Sequence, residues 1–138
     1  MTVLLDAYAA IALLRGERAA GEITGLLARD VVEIHPLNLA EVIDRLARLD
    51  GIEADDVESD LVLVGIREAA IVPEAFGAAG RLRARHYHRA SCAVSLADCV
   101  AAAHAGKRLL LANKESLIVG GDLEREGLVV LEHRSAVE

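Results

Sequence analysis

Three short stretches of the chain each end on one carboxylate in apolar company: VLLD at Asp6, NLAE at Glu41 and SLAD at Asp98. Each acid stands at or near the start of a helical pattern, so each has an ordinary structural use. Asp6 can N-cap a helix beginning near Ala7. Asn38 with Glu41, and Ser95 with Asp98, have the form of a capping box, in which a polar cap is followed three places on by an acid. Taken singly, capping accounts for each of them. Taken together they pose a charge problem, because PLNLAEV and VSLADCVAAA are apolar enough to pack their helix turns against a sheet. Several buried like charges are costly unless a cation compensates them. Mg2+ or Mn2+, hard ions that accept carboxylate oxygens, would remove that penalty. Such an ion acidifies a bound water and stabilises charge on a phosphate.

The elements that must position these acids alternate along the chain. Residues 2–5 read as a strand, with helical pattern from about 7 to 14 and from 17 to 28. Residues 30–34 (DVVEI) read as a second strand. A helix follows Asn38 to about 49, with Val42, Ile43, Leu46 and Leu49 on one face, and Gly51 ends it. Another helix fits 53–64, and 68–72 (EAAIV) reads as a strand closed by Pro73. A helix over 74–88 shows Phe76, Ala79, Leu82 and His86 on one face. SLADCVAAAHA at 95–105 is a helix ended by Gly106, followed by strands RLLLA at 108–112 and LVVLE at 128–132. This alternation predicts an α/β fold in one domain over 1–138, with a mostly parallel sheet covered on both faces. Ligands of such sheets bind beyond the carboxyl ends of the strands, where Asp6 and Asn113 fall.

Composition narrows the function. Hydrophobic residues make up 54% of the 138, which excludes a disordered chain and allows a sizeable core. No apolar run is long enough to span a bilayer, and MTVLLDAYAA lacks the basic start of a signal peptide, so a cytoplasmic protein is expected. Placed on one helix, Cys92 and Cys99 would lie about two turns apart, too far for a disulfide. No Cys or His cluster has zinc spacing, and His86 and His88 read as a basic helix end. The net charge of −7 argues against broad, salt-driven nucleic-acid binding. Local charge can differ, however: Arg81, Arg83, Arg85 and Arg89 are gathered in one stretch, while Glu53, Asp55, Asp56, Glu58 and Asp60 read as a solvated helix face.

The order and spacing of VLLDAYAAIALLRGE (3–17), NLAEVIDRLARL (38–49), SLADCVAAAHAGK (95–107) and RLLLANKESL (108–117) resemble a PIN-domain protein of the VapC toxin type. The resemblance covers essentially the whole chain. It implies a three-layer α/β/α fold and a Mg2+- or Mn2+-dependent endoribonuclease that leaves a 5′-phosphate and a 3′-hydroxyl. By motif it assigns Asp6, Glu41 and Asp98 to the first three acidic positions, and Asn38 and Ser95 to polar positions three before an acid. It further implies an RNA substrate, a small antitoxin partner and a homodimer. Arg81, Arg83, Arg85 and Arg89 are then candidates for steering the RNA backbone.

The chain departs from the family at the last acidic motif. Alignment on Leu110, Leu111 and Leu117 places Lys114 where the family carries Asp, with Asn113 before it and Glu115 after it. Three carboxylates suit one divalent ion better than two. Lys114 would weaken or replace a second metal, pair with Asp98, contact the scissile phosphate as a point charge, or simply face solvent while Asn113 caps a short helix. This substitution supports a rival reading, a PIN-like module that binds RNA or protein without cutting. A receiver domain is a more distant rival, since it needs an acidic pair after the first strand and Asp6 stands there alone.

Overall fold

The computed structural model describes residues 2–17, 20–103, 108–110, 125 and 130–131. Strand β1 (Thr2–Leu5) runs into helix α1 (Ala7–Arg15), followed by α2 (Ala20–Arg29), β2 (Val31–Ile34), α3 (Pro36–Asp50) and α4 (Ala54–Val64). Then come β3 (Arg67–Glu68), α5 (Pro73–His86), α6 (Leu96–Ala102), β4 (Arg108–Leu110) and β5 (Val130–Leu131). The strands form one sheet in the order β3-β2-β1-β4-β5, and every neighbouring pair is parallel.

The alternation of side chains along β1 divides the helices into two layers. Val3 and Leu5 point into a core built with α1, α2, α3 and α4. Leu4 points to the other face, where Ala79, Leu82, Val94, Cys99 and Val100 from α5, α6 and their connection cover it. All three β1 side chains are fully buried, as expected of a central parallel strand. The expected three-layer α/β/α architecture is therefore the observed one.

Several elements begin or end elsewhere than the periodicity predicts. Helix α3 starts at Pro36, and its N-cap is His35, whose Nδ1 accepts from the Leu37 N–H at 3.1 Å. Proline supplies the φ of a first helical residue and lacks the N–H that would go unbonded there. Asn38 consequently lies inside the first turn and is not the cap, and no capping box forms with Glu41. Strand β3 is only two residues long, because the chain leaves the sheet after Glu68 with Ala69 N–H still bonded to the Ile34 carbonyl. Phe76 is 41% exposed, so the buried face of α5 is Ala75, Ala79 and Leu82. Cys92 precedes α6 in a bridge with His88, so the two cysteines do not share a helix; both are buried free thiols. Gly51 does end α3, in the left-handed region at φ 69°, where a side chain would be strained.

The ends of α1 and α3 are tied by Arg15, which donates to both carboxylate oxygens of Asp50 at 2.8 and 2.7 Å. That fork holds the Asp50 carboxyl below its ordinary value of 3.8. A depressed folded-state pKa stabilises the fold above the ordinary value, and this contribution is lost as pH falls through the lowered one. The stability gap between wild type and Arg15→Ala is therefore expected to be widest at neutral pH and to close in acid melts as pH falls through the lowered Asp50 value.

Candidate metal and phosphate site

Strand order reverses at β1: the chain fills one side of it with β2 and β3, then crosses to the other with β4 and β5. Beyond the carboxyl ends of such adjacent strands, the helices diverge to opposite faces and leave a crevice. Asp6 occupies this point. It is fully buried, and its Oδ1 accepts from the Ala9 N–H at 2.7 Å to cap α1. The β1–β4 register sets Leu5 against Leu110, the last described residue of β4. Asn113, Lys114 and Glu115, which follow β4 in the sequence, lie outside the described residues.

The other acids arrive on helices whose first turns meet. Ser95 caps α6 by accepting from the Asp98 N–H at 3.0 Å, which leaves the Asp98 side chain inside the turn and 3% exposed. Asn38, fully buried in the first turn of α3, donates from Nδ2 to the Ala97 carbonyl at 3.2 Å. That bond joins the N-terminal turns of α3 and α6, whose dipoles favour negative charge. One turn further along α3, the Glu41 side chain is 17% exposed. Asn38→Ala removes a buried bond between two helices and leaves the Ala97 carbonyl without that donor. It is expected to destabilise the protein by about 1–3 kcal/mol in denaturant titration.

Charge at this junction bears on Glu41. Burial, and then the Asp98 carboxylate, raise the Glu41 carboxyl above its ordinary value, against the pull of Arg45. The buried Glu41 Oε2 and Asn38 Oδ1 accept no hydrogen bond from any described residue. Burial and Asp98 also push the Cys99 thiol up to about 11, so it is inert as a nucleophile at neutral pH. Two mutually repelling carboxylates and buried oxygens with no described donor, Glu41 Oε2 and Asn38 Oδ1, are the donor chemistry of a hard divalent cation. Among the described residues, however, no group of three His, Cys, Asp or Glu is gathered closely enough to hold one. The fold thus couples Glu41 to Asp98, while Asp6 directs one oxygen into its own helix.

Two features here escape a reading of capping patterns. His35, buried between β2 and α3, meets Phe76 edge-on at 5.7 Å. Arg45 lies 3.9 Å from Glu41 Oε1 and 4.8 Å above the Tyr8 ring. The i,i+4 spacing of Glu41 and Arg45 is legible in the sequence; the Tyr8 contact joins separate helices and is not. Of the candidate RNA-steering arginines, Arg83 donates to the Val94 carbonyl at 3.0 Å and stacks on Tyr87. Arg81, Arg85 and Arg89 are exposed. His88 Nδ1 accepts from the Ala90 and Ser91 N–H groups, which fixes it as a turn residue.

A parallel α/β/α sandwich with acids at its switch point defines a class of protein, and the family model for the PIN domain matches residues 3–119. The chain belongs to the PIN-domain family. Two solved structures share its fold at 16% sequence identity. VapBC2 from Rickettsia felis, bound to a DNA fragment from its promoter, has a TM-score of 0.63 over 96% of this chain and 98% of that one. VapC20 from Mycobacterium tuberculosis, a sarcin–ricin loop cleaving toxin, has a TM-score of 0.56 over 97% and 92%. No curated protein sequence matches the chain.

Proposed function

We propose that the protein is a metal-dependent endoribonuclease, the toxin of a toxin–antitoxin pair. The observation that carries this reading is the junction of α3 and α6: the buried Asn38 side chain bonds the Ala97 carbonyl, and the nearby Glu41 and Asp98 carboxylates repel one another there. A fold that needed these acids only as caps would not set a second-turn glutamate against a buried aspartate. PIN-family membership and structural likeness to VapC toxins supply the class of reaction.

Glu41 and Asp98 would hold a Mg2+ or Mn2+, with Asp6 adding its remaining carboxylate oxygen or a water-bridged contact. Bound there, the ion supplies an acidified water and a counter-charge to the phosphate. The residues do the positioning. Asn38 and Ser95 fix the two helix turns, and the positive ends of α1, α3 and α6 favour a phosphate at their mouth. Lys114 stands in sequence where it could neutralise the same phosphate, and exposed Arg81, Arg85 and Arg89 would follow the backbone. Cleavage would leave a 5′-phosphate and a 3′-hydroxyl.

The partner reading has its own support. Helix α4 exposes Val62 at 69% and Leu63 at 82%, beside Asp55, Glu58 and Ser59 along an open surface groove. An antitoxin segment carrying apolar and basic side chains would complement that surface. No described helix is long and apolar enough to cross a membrane, and a cytoplasmic homodimer fits this role.

Purified protein incubated with structured RNA and Mn2+ tests the reading, with EDTA as control and Lys114→Asp as a gain-of-function variant. Metal-dependent products bearing 5′-phosphates support it. Binding of RNA with no cleavage by either form would favour a module that has lost catalysis.

A further inference from the structure

We propose that Arg45 is a phosphate-binding residue of this site, presenting its guanidinium edge to the backbone of the RNA substrate; the proposal rests on the ribonuclease reading above. Three observations converge on it. The guanidinium carbon sits 4.8 Å from the Tyr8 ring centroid, which holds the group in place through its face and leaves its N–H donors at the edge. Its ion-pair partner, Glu41 Oε1, is 3.9 Å away, beyond hydrogen-bond length. Arg45 makes no hydrogen bond to any described residue, although its side chain is only 33% exposed. Arg15 and Arg83, by contrast, spend donors on Asp50 and on the Val94 carbonyl.

Those N–H donors are at a partly exposed edge, where an incoming anion can reach them. The planar fork matches two oxygens of a phosphodiester. Its location fits as well: Tyr8 is in the first turn of α1, directly after the Asp6 cap, and Glu41 is one helical turn from Arg45. A phosphate brought to the acids by a cation would therefore arrive next to Arg45. The ion pair with Glu41 keeps the arginine at the rim until then, and a cation taking over that carboxylate's charge would release the guanidinium to the incoming anion.

The test is fluorescence anisotropy of a fluorescein-labelled single-stranded RNA with the full chain, in Ca2+ in place of Mg2+, across a series of salt concentrations. Arg45→Gln should weaken binding by about tenfold and lower the log–log salt slope by about 0.7, the loss of one phosphate contact on a single strand. Arg45→Lys keeps the charge but loses the fork, so it should show the wild-type slope with a few-fold weaker affinity. If Arg45→Gln has wild-type affinity and slope, the proposal is overturned. If it loses affinity at the wild-type slope, Arg45 is structural and the proposal is again overturned. Should Arg45→Gln fail to fold, the lysine variant decides: wild-type affinity there rules out fork recognition. Wild-type protein that neither binds nor cuts RNA would instead sink the ribonuclease reading itself.

Discussion

Asp98→Asn is expected to reduce metal-dependent RNA cleavage by about 100-fold or more, while leaving the metal-free protein at least as stable as wild type. The loss follows from removing a charged ligand, since even residues that merely orient metal ligands cost about 10–100-fold when replaced. The retained stability follows from local geometry. Ser95 caps α6 through the Asp98 backbone N–H, which asparagine keeps. The side chain it replaces is 3% exposed and raises the Glu41 carboxyl by like-charge repulsion. An amide of the same shape removes that repulsion. Activity assays paired with thermal melts check both halves. A capping role alone predicts no loss of cleavage. Asp6→Asn is the matching variant at the end of β1, because asparagine also caps; Asp6→Ala would add about 1 kcal/mol of lost capping to any catalytic effect.

The second large effect is metal-linked stability. Glu41 has its carboxyl raised by burial and by Asp98 above the ordinary 4.5. A raised folded-state pKa means that stability is fully present below the ordinary value and declines as pH rises through the raised one. The metal-free protein therefore loses this contribution as pH rises. A divalent ion that binds the folded state alone at a hundred times its Kd adds about 2.7 kcal/mol, or about 10 °C in Tm for a chain of this size. Glu41→Gln is expected to melt above wild type without metal and to show little further rise when Mn2+ is added. Melting curves at neutral pH, with and without Mn2+, read out both changes. An equal Mn2+ shift in wild type and Glu41→Gln would remove Glu41 from the ligand set.

Much of this arrangement was open to reading from the residues, and the failures have physical causes. The apolar run before Asp6 and the cap after it announce β1 and α1, because both signals are local. Helix α3 was expected to begin at Asn38, yet it begins at Pro36 with His35 as cap. A histidine cap is uncommon, and the polar residue with an acid three places on drew the reading inward. That residue instead reaches across to Ala97, 59 positions away, a contact that no periodicity announces. The strand expected over 68–72 shrinks to Arg67–Glu68 because β3 is an edge, where an apolar run need not be paired. Phe76, expected on the apolar face of α5 with Ala79 and Leu82, is exposed and meets the His35 ring edge-on.

The candidate site divides in the same way. The identity of the three acids and the burial of Asp6 and Asp98 follow from their apolar surroundings. That Glu41 and Asp98 are the coupled pair does not, because it depends on how α3 and α6 dock. Arg45 is hidden for the same reason: its partner on α1, Tyr8, lies 37 positions away by residue number and shares no local pattern with it. The consequence of Lys114 lies beyond the described residues, so its chemistry belongs to the cleavage assay with Lys114→Asp.

A crystal structure of the protein soaked in Mn2+, with the ions located by anomalous scattering, tests the central claim most directly. The account predicts a Mn2+ coordinated by Glu41 and Asp98, with Asp6 as a direct or water-bridged neighbour. Crystals with the acids ordered and no Mn2+ between Glu41 and Asp98 would contradict it.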